Sequence, residues 1–290
     1  MLLGRIWRIC KNCFITKGEK LYMIGAIIGD IIGSTYECHN VKTKHFELFP
    51  KESHFTDDTV LSVAVADALL HRAESRIDPR KAYAMWYKQY YKRYPHAGFG
   101  QMFSQWAVAE TLTIQRSFGN GGAMRVSAIG YAFDSVQEIK KEVLYSCYYT
   151  HHNKEARLGA EAVAICIYFA RMGASKNEIR SYIEKNYPYK LPKLDMIREN
   201  YVFDSRTSYS IPPAISAFLE SESYEDAIRN AISIGGDSDT IACIAGGIAQ
   251  AFYHEIPVKI QDRALSLLNS GLKDTLRLFE QQFVFYKTLQ

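Results

Sequence analysis

Gly235-Gly236-Asp237-Ser238-Asp239-Thr240 lies between two apolar, helix-like stretches, Tyr224–Ile234 and Ile241–Tyr253. The ordinary reading of such a stretch is a helix end followed by a helix start. Glycine takes positive φ freely and so can close the first helix. Asp, Ser and Thr side chains accept from the free N–H groups that open the second. A partner upstream changes this reading. Thr56-Asp57-Asp58-Thr59 precedes another very apolar stretch, Val60–Leu70. Each motif offers two carboxylates and a hydroxyl. Brought together they form an all-oxygen nest whose four charges cannot all stay ionised without compensation. Two divalent cations would supply it. Oxygen ligands without Cys or His select Mg, Mn or Ca over zinc.

Outward from these motifs the chain reads as helices. Gly25, Gly29 and Gly33 recur every fourth residue of an apolar stretch, Met23–Cys38, and form one stripe. Each costs a helix about 1 kcal/mol relative to alanine, so three in register predict close backbone approach by a neighbour. Asp30, Ser34 and Glu37 form an adjacent polar stripe, the expected wall of a cleft. Val60–Leu70 is apolar all round and reads as a central helix. Asp78-Pro79 is a cap followed by proline at the first helical position. Tyr83, Trp86, Tyr87, Tyr90 and Tyr91 follow as core and rim. Met102–Ile114 reads as a helix, Ser135-x-x-Glu138 and Ser175-x-x-Glu178 as capping boxes, and Asn153 as the cap of Lys154–Met172. Pro212-Pro213 is expected to open a helix over Ala214–Leu219, and Pro257 to begin two closing helices. No stretch alternates as a strand. The expectation is an all-α fold: a compact single-domain bundle of about a dozen helices, residues 23–290, with the metal site on inter-helix loops.

Composition narrows the function. The 290 residues are 48% hydrophobic and carry a net charge of +4. Arg5, Arg8, Lys11, Lys17 and Lys20 against Glu19 account for all of that charge, so residues 1–22 read as a basic extension and the body is neutral. The body therefore gives no nucleic-acid signal. No stretch reaches the roughly 18 uninterrupted apolar residues of a membrane span. Cys147, Cys166 and Cys243 sit in apolar stretches as small hydrophobes, and Cys10-x-x-Cys13 has no second pair at zinc spacing. A reduced, cytoplasmic setting is expected.

Ser117-Phe118-Gly119-Asn120-Gly121-Gly122-Ala123-Met124-Arg125 leaves backbone amides bare for an anion, yet it is neither a Walker loop nor a dinucleotide fingerprint. This loop, the two Asp motifs, Thr150-His151-His152 and Gly25-x-x-x-Gly29-Asp30-x-x-Gly33-x-x-x-Glu37 together resemble the ADP-ribosylglycohydrolase family. That family includes the enzyme that removes ADP-ribose from dinitrogenase reductase. The resemblance runs from about Ile24 to Tyr253. It implies an all-α fold, two Mg²⁺ (Mn²⁺ in some members), and ligands Thr56, Asp57 and Asp58 facing Asp237, Asp239 and Thr240. It also implies that Ser117, Gly119, Asn120, Gly121, Gly122 and Met124 cradle a diphosphate, that Phe118 stacks on adenine, and that His152 lies near the nucleotide. Glu37 matches a glutamate at the reacting sugar.

The activity so implied is hydrolysis of an N- or O-glycosidic bond of ADP-ribose through an oxocarbenium-like state. Asp58 or Glu37 would orient or deprotonate the water. The expected partner is an ADP-ribosylated protein, bound by a monomer. Ser205-Arg206-Thr207-Ser208-Tyr209-Ser210 departs from the Cys-Gln-Gly-Ser type of bacterial relatives, so contacts to the leaving group are open. Two alternatives stand beside this activity: a dinuclear-metal phosphohydrolase that cuts the diphosphate, and a silent ADP-ribose-binding protein.

Overall fold

The computed structural model describes residues 23–72 and 76–285. The expected basic extension, with Cys10 and Cys13, lies outside the described residues. The described chain forms fourteen α-helices and no strand. In order these are α1 Gly25–Cys38, α2 Asp57–Leu70, α3 Pro79–Arg93, α4 Gln101–Val108, α5 Ser127–Ala132, α6 Val136–Cys147, α7 Lys154–Arg171, α8 Lys176–Asn186, α9 Leu194–Ile197, α10 Thr207–Leu219, α11 Tyr224–Ile232, α12 Ser238–Tyr253, α13 Val258–Leu267 and α14 Ser270–Glu280. No helix among the described residues is long and apolar enough to cross a membrane.

The interior is built on α1, α2 and α12, which are buried along nearly their whole length. The glycine stripe explains why α1 and α12 pair so closely. A Cβ on Gly29 would stand 2.1 Å from the Ala242 carbonyl oxygen, and one on Gly33 would stand 2.5 Å from Asp239 Cα. The backbones therefore meet without side chains between them. Because Gly33 faces Asp239, the same stripe delivers the Asp motif of α12 to the C-terminal half of α1.

Local signals set most boundaries. Asp78 accepts from the Arg80 N–H, Asn153 from Glu155, and Ser175 with Glu178 makes a reciprocal capping box. At Ser135 the box is half made: Ser135 Oγ accepts from Glu138 N–H at 3.2 Å, while the Glu138 carboxylate accepts from the Ser135 hydroxyl and not from its backbone N–H. Tyr83, Tyr87 and Tyr90 are buried, with Trp86 and Tyr91 packed beside them.

Two helices differ from expectation. The helix expected over Met102–Ile114 stops at Val108, where Lys88 Nζ donates to the carbonyls of Trp106 at 2.7 Å and Ala109 at 2.5 Å. A lysine from α3 thus satisfies the orphan acceptors of that helix end. The proline pair does not open α10 but lies inside it, since the helix starts at Thr207. Proline has no N–H, so Pro213 leaves the Tyr209 carbonyl without its helical donor. The Tyr201 hydroxyl donates to that carbonyl at 3.0 Å.

Candidate active site

The first turn of α2 is fixed by a carboxylate from α1. Asp30 is fully buried and accepts from Thr56 N–H at 2.9 Å, Thr56 Oγ1 at 2.6 Å and Thr59 N–H at 3.1 Å; the Thr59 hydroxyl donates to it as well. Thr56 also accepts from Asp58 N–H as the N-cap of α2. Asp57 and Asp58 are aimed by this arrangement. On the facing side, Gly235 and Gly236 both take positive φ, 72° and 76°, and turn the chain into α12. Asp237 occupies the N-cap position without a side-chain cap bond. Its carboxylate accepts instead from Asn120 Nδ2 at 2.7 Å. Thr240 Oγ1 donates to Asp58 Oδ2 at 3.1 Å and ties the two motifs together.

Two groupings of carboxylates result, with ligand-capable oxygens within 4.8 Å of one another: Asp30, Asp58 and Asp239, and Glu37, Asp237 and Asp239. Asp239 belongs to both. Asp57 lines the same cavity but stands outside both groupings. Burial first, and then neighbouring carboxylates, hold the carboxyls of Asp58 and Asp239 well above the usual range. The same causes push Asp57 up to about 8 and raise Glu37. Burial also raises Asp30 and Asp237, against the hydrogen bonds they accept.

This donor set fits hard divalent cations. All its atoms are carboxylate or hydroxyl oxygens. Among the described residues, Asp58 Oδ1 is buried with no hydrogen-bond partner. An unpaired buried carboxylate oxygen is costly unless a cation meets it. Asp58, Asp237 and Asp239 with Thr56 and Thr240 could hold such ions. Asp30 spends both oxygens on four donors and acts as the support beneath them.

The carboxylates form the floor of a cavity of about 500 Å³. Its wall includes Ser117, Gly119, Asn120, Gly121 and Met124 of the glycine loop, together with Ser205 and Phe203. A short 3₁₀ turn covers Asn120–Gly122. Four amides of the loop are already taken: Gly119 N–H by Ser117 Oγ, Asn120 N–H by the Ser205 carbonyl, and the N–H groups of Ala123 and Met124 by the Asn120 carbonyl. Gly122 lies behind the wall, where a Cβ would meet the His151 ring at 3.2 Å and Cys147 Sγ at 3.3 Å. Phe118 is 52% exposed, and its carbonyl accepts from Thr207.

The structure separates the two histidines. His151 lines the cavity, while His152 is exposed and lies outside it. Burial, and then the Arg125 charge, hold His151 far below its ordinary value, so it is a neutral imidazole. Its Nδ1 pairs with Thr150 Oγ1 at 2.9 Å, and Arg125 Nη2 donates to the same hydroxyl at 2.7 Å. The sequence places the nucleotide beside His152 and gives His151 no role of its own; it expects Asp30 in the cleft wall, whereas Asp30 is fully buried behind the lining. The polar stripe on α1 was the signal for Asp30. Nothing local distinguishes one of two adjacent histidines in a turn.

The family model for ADP-ribosylglycohydrolase matches residues 21–282. ADP-ribosylhydrolase ARH3 of Mus musculus is 27% identical, over 80% of this chain and 82% of that protein. The Homo sapiens protein of the same name is 28% identical, over 80% and 84%. ADP-ribosylarginine hydrolase Tri1 of Pseudomonas putida (strain GB-1) is 24% identical, over 85% and 75%. A solved structure described as an ADP-ribosylglycohydrolase-related protein complex shares the fold, with a TM-score of 0.60 and 23% identity over 89% of this chain and 94% of that one.

Proposed function

The chain belongs to the ADP-ribosylglycohydrolase family, a family of hydrolases, and we propose that it cleaves the glycosidic bond between ADP-ribose and an acceptor side chain of a modified protein, releasing ADP-ribose. The observation that carries this reading is the pair of carboxylate groupings sharing Asp239 on the floor of the cavity, with Asp58 Oδ1 left unpaired there. We propose two Mg²⁺, with Mn²⁺ as a substitute, held by Asp58, Asp237 and Asp239 with the hydroxyls of Thr56 and Thr240; Asp57 completes the set at the cavity edge. Bound there, the ions supply Lewis-acid stabilisation of oxygen atoms and neutralise the clustered charge.

The chain's own residues supply the rest. In the balanced reaction a water oxygen bonds to the anomeric carbon, the C–N or C–O bond to the acceptor breaks, and the water's proton passes to the leaving group. Glu37 is half-buried at the wall, and its carboxyl is raised by burial, Asp237 and Asp30. A raised carboxyl suits proton transfer near neutral pH. Glu37 therefore moves the proton, and Asp58, only 2% exposed, holds a cation. The glycine loop and Ser205 form the wall against which the diphosphate rests, with exposed Phe118 at the rim for the base. Neutral His151 can donate or accept one hydrogen bond without adding charge. Buried, unpaired Cys147, Cys166 and Cys243 suit a reducing compartment.

The test is incubation with arginine- and serine-ADP-ribosylated proteins in Mg²⁺, with identification of the released nucleotide. ADP-ribose supports the proposal, and loss of release in chelator with recovery in Mg²⁺ or Mn²⁺ supports the metal assignment. Release of AMP would instead mean cleavage of the diphosphate. Binding of ADP-ribose without turnover would mean a binding protein.

A further inference from the structure

One exposed side chain bridges the two walls of the Glu37 grouping. Asn40 Nδ2 faces the carbonyls of Tyr36 at 2.7 Å and Glu37 at 2.9 Å, in the last turn of α1. The same nitrogen faces the Gly236 carbonyl at 3.1 Å, and Asn40 Oδ1 accepts from Gly236 N–H at 2.5 Å. The amide thus caps the open carbonyls of a helix end and grips both the N–H and the carbonyl of Gly236, the residue before Asp237. Lys42 holds the same turn farther back, donating to Ile234 and Tyr201 carbonyls at 2.5 Å each. A Cβ on Gly235 would stand 2.9 Å from Asn40 Oδ1 and 3.0 Å from Lys42 Nζ, so the turn has no room to slide past these anchors.

What this grip resists is electrostatic. Glu37 and Asp237 belong to one grouping, and like charges so close push apart. Glu37 ends a helix and Asp237 starts another far along the chain, so no covalent constraint sets their spacing. We propose that Asn40 is a positioning residue that fixes the spacing of Glu37 and Asp237, and through Asp237 the affinity of the Asp237–Asp239 side of the site for a divalent cation. The Asp30–Asp58 side of the site is held by Thr56, Thr59 and Thr240, none of which bonds to Asn40. This rests on the metal reading proposed above, and the test separates the two.

The test is calorimetric Mn²⁺ titration of the full chain and of Asn40→Ala, with melts of both in chelator. The expected result is two cations on the wild type and, in the variant, about a tenfold or greater loss of affinity for one of them only, the range seen when groups that orient metal ligands are removed. In chelator Asn40→Ala should melt a few degrees lower in one cooperative transition, because it loses a helix cap, so the role of Asn40 is read from the loss of affinity for one ion and not the other. If Asn40→Ala does not fold, Asn40→Ser carries the same comparison. Two cations bound unchanged by the variant would overturn the role of Asn40 and leave the metal reading intact. Equal weakening of both ions would also overturn it, by showing a general loosening. A wild type that binds no Mn²⁺ would remove the metal reading and this proposal with it.

Discussion

Asn120 illustrates how a residue's role follows from where its hydrogens go. By position it belongs to the glycine loop, which suggests a substrate contact. Its amide instead points both protons inward, to Asp237 Oδ2 at 2.7 Å and Ser210 Oγ at 2.9 Å. The loop that walls the cavity thereby aims a carboxylate on its floor. Asn120→Leu should lower kcat/KM for ADP-ribose release by about 10–100-fold, the usual cost of losing a partner of a metal ligand, and should weaken cation binding alongside. A change confined to KM, with unchanged cation affinity, would make Asn120 a substrate contact after all. The histidine pair teaches a related point. The link of Thr150-His151-His152 to the site comes from the family resemblance and not from its residue types. Which ring enters depends on the turn joining α6 to α7, where His152 N–H bonds to the Gln115 carbonyl. That partner is remote in sequence, so no local pattern could reveal it.

Elements were legible where their causes are local. A four-residue glycine period, a Ser-x-x-Glu box and an Asp-Pro start each lie within one or two turns, and each matches the observed helices. The glycine stripe also allows a sharp test. Gly29→Ala would press a methyl against the backbone of Ala242, which cannot rotate away. Overpacking of this kind costs about 1–3 kcal/mol, readable by denaturant unfolding. Gly100→Ala, with open space around its Cβ, should stay near the wild type. Equal stability of Gly29→Ala and wild type would mean that α1 and α12 do not pack as closely as described. Elements were misread where the cause is distant. Two prolines look like a helix start, because the sequence does not show that the Tyr201 hydroxyl supplies a donor for the Tyr209 carbonyl. Likewise Lys88, on another helix, ends α4 early.

At the scale of the whole molecule, the fold gathers buried acids whose charge protons or cations can offset, so pH and metal should act on global stability together. A carboxyl raised in the folded state binds a proton that the unfolded chain, titrating near 4, has already released. The stabilisation linked to it is complete below that unfolded value and is lost as pH rises through the folded one. For Asp57 the upper limit is about 8, and Glu37, Asp58, Asp237 and Asp239 are raised in the same sense. In chelator the melting temperature should therefore fall steadily between about pH 5 and 8, and Mg²⁺ should flatten the slope by binding the ionised form. A chelated protein whose stability rises over that range would show the acids to be ionised and satisfied without metal. The charge argument reaches its limit in Asp58→Asn with Asp239→Asn, which removes one acid private to a grouping and the acid both share. At an effective dielectric near 20, unit charges 4 Å apart repel by about 4 kcal/mol. Relief of even about 1 kcal/mol of that should raise the metal-free melting temperature by roughly 2–4 °C for a chain of this size. The double variant should be inactive, melt above the wild type in chelator, and gain nothing from Mg²⁺, so that the order of the two proteins narrows or reverses when the ion is added. A double variant clearly less stable than the wild type in chelator would mean that these carboxylates serve the helix starts first, as Gly235–Thr240 read in isolation suggests.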